Sequence, residues 1–548
     1  MTLADLCADV VTATDARDRA LRADRYSDPL VRVWDGHMRL AHVIRAENSQ
    51  EWEDIDNDTG NGTLVIDFDR PEAQWLWDMQ ARRDAGETIH VIVTVDHVGR
   101  RWSGVMVRAV VETNDAGFTV LTAHFMSDYE QLKARTVWAN PSLPAAFQFP
   151  KVFVLGGPAR WVLLTSLYMN LKRAHGGPLV LGDPMQQAKS GQGDWPIVVK
   201  PVTFTEDMQA GTVWAVLASR FKSWHEAAEM ILADAELSVQ WRRWLDGDPA
   251  PWPGANVRHG ALVIDIVDKS GIMEGTANGG TIFDGLTRVV RDFVNDLIEN
   301  RDDTVTGLPA VPDYQEPGFI NTDPRAPYVF FGPDHPGLKR VSAEWKPAQY
   351  VRLTVGGHSM PGVNELIDAG LQAAGDAVAM IPGAPPIGGA LAALLRPIFE
   401  DVILAWISVP LVYRAQSSSD FALYETVLES GIKAWTISSL MVLRAGRLET
   451  ASKFTAHMEI EDTAPYVVGA PGHGHFDKGD RIIAGVPGDQ ANRLHVQRVS
   501  KLVLKTSRGS APSYDITMGE PFDPDDPISR LVKRIERGFS VMKELGLW

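Results

Sequence analysis

Between residues 29 and 149 apolar and polar positions alternate with a period of two, interrupted by short turn signals. Leu30-Val-Arg-Val-Trp34 runs into Asp35-Gly36, a hairpin signal, and alternation resumes from Met38 to Ile44. Asn61-Gly62 opens Thr63-Leu-Val-Ile-Asp-Phe68. Residues 89–95 lead through Asp96-His-Val-Gly99 into 101–107, and 107–112 and 118–124 flank Asn114-Asp-Ala-Gly117. Short strands separated by turns predict a small barrel or sandwich. Ahead of them, Leu3, Leu6, Val10 and Val11 recur at helical spacing and predict an amphipathic helix.

From 161 to 245 the period changes to that of a helix. Ser223-Trp-His-Glu226 is a capping box, in which serine accepts from the glutamate amide and glutamate accepts from the serine amide. Trp224, Ala228, Ile231, Leu232 and Ala235 follow in phase, and Asp246-Gly-Asp-Pro249 ends the pattern. A strand is expected at 262–267, and a helix at 287–300 with Val290, Phe293, Val294 and Leu297 on one face. Residues 309–347, rich in Pro, Gly and Asp, read as a surface excursion. Strands return at 350–355 and through 455–513, including 464–469, 480–484 and 494–505. Ile528, Leu531, Val532 and Ile535 put a last helix in 527–548.

One segment fits neither period. Residues 377–395 are 19 uncharged positions; Arg396, Glu400 and Asp401 intervene, and 402–413 adds 12 more. Nineteen residues approach the length of a bilayer-spanning helix. Pro382, Pro385, Pro386, Gly383, Gly388 and Gly389 break any such helix. The pattern predicts a hinged apolar hairpin, 366–380 and 388–406, either buried in an oligomer or kept hidden until it meets a membrane. Both readings require a surface that covers its apolar faces. The residues that would close a channel or enter a membrane are Ile381, Pro382, Pro385, Pro386, Ile387, Leu391, Leu394, Leu395, Phe399, Ile403, Leu404 and Trp406.

The 548 residues are 45% hydrophobic and 22% charged, a folded composition, with a net charge of −17 that repels phosphate. Cys7 is the sole cysteine, which excludes an intramolecular disulfide and any multi-cysteine metal site. The first 28 residues mix aspartate with arginine and lack the basic start and apolar run of a signal peptide, so synthesis in a cytoplasm is expected. Candidate chemistry is thin. Thr354-Val-Gly-Gly-His-Ser-Met-Pro361 has the setting of a nucleophile elbow at Ser359, but Pro361 stands where the turn needs glycine. A turn leaving a strand is the preferred reading, with a serine hydrolase centred on Ser359 as the alternative. His473-Gly-His475 with Asp477, Asp480 and His457 could be assembled as metal ligands, and a polar hairpin loop is the simpler reading. Phosphate-loop, zinc-protease and dinucleotide motifs are absent from the sequence, and no catalytic, cofactor or metal residues are expected.

A set of strings along the chain resembles the siphophage tail-tip hub, the large minor tail protein of phages infecting mycobacteria and their actinobacterial relatives. They are Asp28-Pro-Leu-Val-Arg-Val-Trp-Asp-Gly36, Ala233-Asp-Ala-Glu-Leu237 with Trp241-Arg-Arg-Trp-Leu245, Leu262-Val-Ile-Asp-Ile-Val-Asp-Lys-Ser-Gly271 and Phe283-Asp-Gly285. Pro385-Pro-Ile-Gly-Gly-Ala390, Glu400-Asp-Val-Ile-Leu-Ala405, Ala464-Pro-Tyr-Val-Val-Gly469 and Gly479-Asp-Arg-Ile482 complete it. The resemblance implies an α+β, mainly β chain with two tail-tube-like β-barrel domains and helical accessory insertions, assembling as a homotrimeric baseplate hub without enzymatic activity or cofactor. On that plan residues 1–28 are an N-terminal arm, 29–160 the first barrel, 161–260 a helical accessory domain, 261–365 and 446–520 the two parts of the second β domain, 366–445 the apolar helical insertion, and 521–548 a C-terminal helix. Implied partners are the distal tail protein, the tape measure protein and other minor tail proteins, with DNA passing without sequence recognition and host-membrane contact on ejection. The hub of a contractile injection system is the other structural reading.

Overall fold

The computed structural model describes residues 3–269, 304–305, 329–358, 406–433, 450 and 453–519, except 114–116, 151, 178–181, 211, 213, 236, 462 and 491–493. Helix α1 (Leu3–Arg25) precedes a first group of seven antiparallel strands. These are β1 (Leu30–Asp35), β2 (Leu40–Ile44), β3 (Glu47–Ile55), β4 (Asn61–Asp67), β5 (Val91–His97), β6 (Arg100–Thr113) and β7 (Thr119–Ser127), with short helices α2 (Pro71–Trp77) and α3 (Met79–Asp84) between β4 and β5. The turn signals work as expected. Asp35 accepts from the amides of His37 and Arg39, both at 2.9 Å, and so closes the β1–β2 turn. Gly99 holds φ at +71° between β5 and β6, and a Cβ there would press within 2.5 Å of the His473 ring. Where two strands were expected at 101–107 and 107–112, β6 is one long strand with a bulge between Met106 and Arg108.

The strand order in this group is β3-β4-β7-β6-β5-β1-β2. Strands β2 and β3 are its two ends, yet only Arg45 and Ala46 separate them in the chain. Three Cα steps reach at most about 11 Å, so the sheet must curl until its ends nearly meet. Val31, Val33, Trp52, Leu64, Val93, Val95, Leu121 and Phe125 fill the inside of the curl.

A second layer follows. It contains α4 (Glu130–Lys133), β8 (Thr136–Val137), β9 (Phe153–Pro158), α5 (Ala159–His175), α6 (Pro184–Ala188), β10 (Ile197–Val199), α7 (Phe204–Gln209), β11 (Trp214–Ser219), β12 (Lys222–Ser223), α8 (Trp224–Asp234), β13 (Leu237–Arg243) and β14 (Leu262–Asp268). Helix α5 is enclosed, with Val162, Leu163, Leu164, Leu167 and Leu171 fully buried. Both hydrogen bonds of the capping box at Ser223 and Glu226 are present. The helical pattern does not continue to Trp241 as expected. Helix α8 stops at Asp234, and β13 pairs with β14, which pairs in parallel with β10.

The last group consists of β15 (Thr304–Val305), β16 (Phe330–Phe331), β17 (Leu338–Lys346), β21 (Lys453–Ile460), β22 (Arg481–Gly485), β23 (Leu494–Ser507) and β24 (Ser513–Met518). Strand β17 lies where an irregular excursion was expected. Strand β23 pairs with β3 over seven positions, from Lys501 opposite Ile55 to Ser507 opposite Ser49. A strand has two edges, and β3 gives one to β4 and the other to β23. None is left for β2, so the first curl cannot close. The expectation of a mainly β chain holds, and that of two tail-tube-like β-barrel domains is met only in part: among the described residues no barrel closes, and both groups share one 14-stranded sheet.

At the far end of that sheet β17 and β21 pair from Leu338 to Lys346, whereas β24 meets only Met458, Glu459 and Ile460 of β21. Residues 342–346 and 453–457 therefore continue as a two-stranded ribbon. Between its strands lie β18 (Arg352–His358), β19 (Trp406–Pro410), α9 (Val412–Ser417) and β20 (Thr426–Lys433), with sheet order β19-β18-β20.

Candidate assembly surfaces

Three elements meet beside the joint of the two strand groups: the β3–β4 turn, the β22–β23 region and the β13–β14 pair. Arg100 contacts Asp54 at 2.5 Å and Asp477 at 2.8 Å. Burial works against the charge on Arg100, but Asp477, Tyr514 and Asp54 overcome it and hold the guanidinium above its ordinary value. The Lys478 ammonium reaches Asp54 at 2.7 Å and lies 3.4 Å from the centre of the Trp241 ring. Arg498 pairs with Asp56 at 2.6 Å, Lys269 pairs with Asp480, and Asn57 exchanges two 2.8 Å hydrogen bonds with the backbone of Leu237 and Val239. Burial pushes Asp480 up, against the pull of Lys269.

A second contact ties the same layer to the first strands. Arg243 donates to Asp128 through Nε at 2.7 Å and Nη2 at 2.6 Å, and Nη1 donates to the Gly260 carbonyl at 3.0 Å. Asp128 is buried and also accepts from Ser103. This bidentate pair was not anticipated from the sequence, though a signal was there. Leu237, Val239, Trp241 and Arg243 occupy one face of an alternating strand, so the arginine is in phase with buried residues and needs a buried acceptor.

His475, Asp477 and Asp480 are each held by a partner group within the chain. His475 accepts the Val467 amide at 3.0 Å, Asp477 holds Arg100, and Asp480 holds Lys269. Among the described residues no cluster of histidine, cysteine, aspartate or glutamate is placed to hold a metal ion. Ser359 lies outside the described residues.

Of the twelve residues singled out as channel-closing or membrane-active, Ile381, Pro382, Pro385, Pro386, Ile387, Leu391, Leu394, Leu395, Phe399, Ile403 and Leu404 lie outside the described residues. Trp406 is described. It opens β19 as a strand, not a helix end, is exposed, and pairs with Gly356 of β18. The segment 359–405 thus leaves and rejoins one small sheet at neighbouring points. Among the described residues no helix is long and apolar enough to cross a membrane.

The apolar surface is concentrated elsewhere on the described chain. Trp345 stands on the ribbon at 69% exposure, and Phe421 at 93% and Tyr424 lie beside β20. Phe147 and Phe149 project from a loop held by Asn140, which donates to the Phe149 carbonyl at 2.7 Å and accepts from the Ser142 amide at 3.0 Å.

Comparison with known proteins finds minor tail proteins of mycobacteriophages. The chain is 30% identical to the minor tail protein Gp28 of Mycobacterium phage D29 over a 579-residue alignment, covering 96% of each chain, and 31% identical to that of Mycobacterium phage L5 with the same coverage. Among solved structures it is similar to the tail protein from Neisseria meningitidis MC58, at 12% identity and a TM-score of 0.39 over 90% of this chain and 97% of that one. A 43 kDa tail protein of prophage MuSo2 from Shewanella oneidensis matches at 8% identity and a TM-score of 0.37, over 90% and 98%. Residues 30–520 match the model of the Siphovirus ReqiPepy6 Gp37-like proteins, and the chain belongs to that siphovirus tail family.

Proposed function

We propose that three copies of this chain form the hub at the distal tip of a long non-contractile phage tail, joining the tail tube and distal tail protein to the tip proteins. The observation that carries this reading is the edge-to-edge joint of β3 and β23, which makes two strand groups in one chain a single curved wall. Three such chains supply six strand groups for a ring beneath a six-fold tube. The chain catalyses nothing in this role, and its charge of −17 suits a channel through which DNA must slide without being held. The tape measure protein and further minor tail proteins are its other neighbours. The segment 366–413 seals the channel and rearranges on ejection, with its apolar face turning to the host membrane.

Negative-stain imaging of the lightly crosslinked protein tests the assembly: three-fold rings are expected. Exclusively two-fold particles, or antibody labelling along the tail shaft of whole virions instead of at its tip, would overturn the hub. Flotation of the heated full chain with liposomes tests the segment, and its failure to float would remove the membrane step while leaving the hub intact.

A further inference from the structure

Helix α1 poses a physical problem. It has 23 residues, about 35 Å, and every described side chain from Cys7 to Asp24 is exposed, Val11 by 59%. Most of the stability of a helix in a protein comes from packing an apolar face against something else. Leu3, Leu6, Cys7, Val10 and Val11 supply such a row by their spacing. The charges are also sorted: Asp5, Asp9 and Asp15 come first, and Arg17, Arg19, Arg22 and Arg25 follow, with Asp18 and Asp24 among them. That order suits the helix's own dipole, but the dipole gives no reason for the apolar row.

The base of α1 lies close to where the chain leaves the described structure. Arg25 lines a pocket with His97, Ser513 and Tyr514, and the backbone of Arg25 and Ser27 faces the His97 ring. Gly519, the last described residue, comes five positions after Tyr514 on β24. Residues 520–526 can span about 23 Å before the pattern of 527–548 begins. That pattern carries an apolar row, Ile528, Leu531, Val532 and Ile535, continued by Phe539, Met542 and Leu545. Its charges are sorted in the same sense along the chain, so the two segments are complementary only when antiparallel. Asp523, Asp525 and Asp526 precede Arg530, Lys533, Arg534, Arg537 and Lys543, with Glu536 and Glu544 the only acidic residues among these.

We infer that the C-terminal segment 527–548 of the same chain docks antiparallel along the apolar row of α1, of which Cys7 and Val11 are exposed. Helix α1 runs toward the body and the C-terminal segment runs away from it, so antiparallel packing follows from where both are tethered. The arrangement sets Asp523, Asp525 and Asp526 beside Arg22 and Arg25, and the basic stretch 530–543 beside Asp15, Asp9 and Asp5. Both apolar rows are covered at once, and Cys7 falls near Leu545.

The lone cysteine makes the test direct. In the full chain carrying Leu545→Cys, mild oxidation is expected to give an intramolecular disulfide with Cys7. Leu531→Cys, some 20 Å further along the pair by helical rise, is expected to give none. No bridge in either variant, or equal bridging in both, overturns the pairing. A bridge found only between chains, read by mixing two differently tagged copies, overturns the same-chain occupant in favour of a second copy. Maleimide labelling of Cys7 is expected to speed up at least tenfold in Ile535→Asp, and an unchanged rate overturns the proposal without any appeal to crosslinking geometry.

Discussion

At the joint, Asp128 accepts two hydrogen bonds from Arg243 with its carboxylate buried. At the far edge of the same sheet, Trp345 is exposed on a ribbon whose two strands pair only with each other. The two regions share backbone pairing and differ in everything added to it. Around β3 and β23 the β13–β14 pair packs onto the joint, and Arg100, Lys478, Arg498 and Lys269 are paired with Asp54, Asp477, Asp56 and Asp480. Beyond Ser342 no further strand follows among the described residues, and Trp345 remains in water. Backbone ladders of equal quality can therefore belong to a rigid wall or to an arm awaiting a partner. Burial of the side chains distinguishes them.

Removing the anchor of the wall should produce the largest effect. Arg243→Met leaves the Asp128 carboxylate buried without its counter-charge, and the expected loss is about 3–5 kcal/mol of unfolding free energy in urea. Replacing both partners with apolar residues should recover most of it. A single variant with unchanged stability would mean that the joint does not depend on this pair.

Acid should weaken the wall next. Burial, with Arg100 nearby, lowers His97 to about 4 from an ordinary 6.5. The folded state then binds fewer protons than the unfolded state between those values, so the contribution of neutral His97 is complete above pH 6.5 and is lost as pH falls toward 4. His97 also meets the Tyr514 hydroxyl at 3.1 Å. Relative to His97→Gln, the natural chain should lose an additional 2–3 kcal/mol, roughly, between pH 7 and pH 4.5 in urea melts. Parallel stability profiles for the two proteins would show that His97 does not titrate with unfolding.

A smaller change is expected at the cap of α8. Ser223→Ala removes the acceptor for the Glu226 amide and should cost about 1 kcal/mol, read from the same melts. This cap was fully visible in the sequence, as were the Asp35 and Gly99 turns, because each depends on residues within a few positions. The pairing of β23 with β3 was not visible. Alternation says which side of a strand is buried, never which strand lies beside it, and Lys501 and Ile55 are far apart in the chain. Strand β17 was hidden for a different reason: Pro333, Pro336 and Pro347 surround it, and its exposed edge mixes Lys339, Arg340 and Trp345 without alternation. At the candidate site, the apolar character of 377–395 was plain from composition, whereas the return of that segment at Trp406 beside Gly356 needed the backbone.

The smallest effect on stability should come from Trp345→Ser, and it bears most directly on what the ribbon is for. With the indole 69% exposed, truncation removes little buried area, so the unfolding free energy should move by less than about 0.5 kcal/mol. A core aromatic such as Trp52, at 1% exposure and 4.9 Å from Trp102, should lose several times more on truncation, about 3–5 kcal/mol. If the ribbon serves assembly, Trp345→Ser should instead reduce incorporation of the chain into tails while leaving the isolated protein folded. The measurement is the ratio of tail-bound to free protein after sedimentation. Normal incorporation would show that the ring is spare surface. A large loss of stability in the isolated protein would show that the ribbon is covered in solution by part of the same chain, and it would erase the contrast between wall and arm.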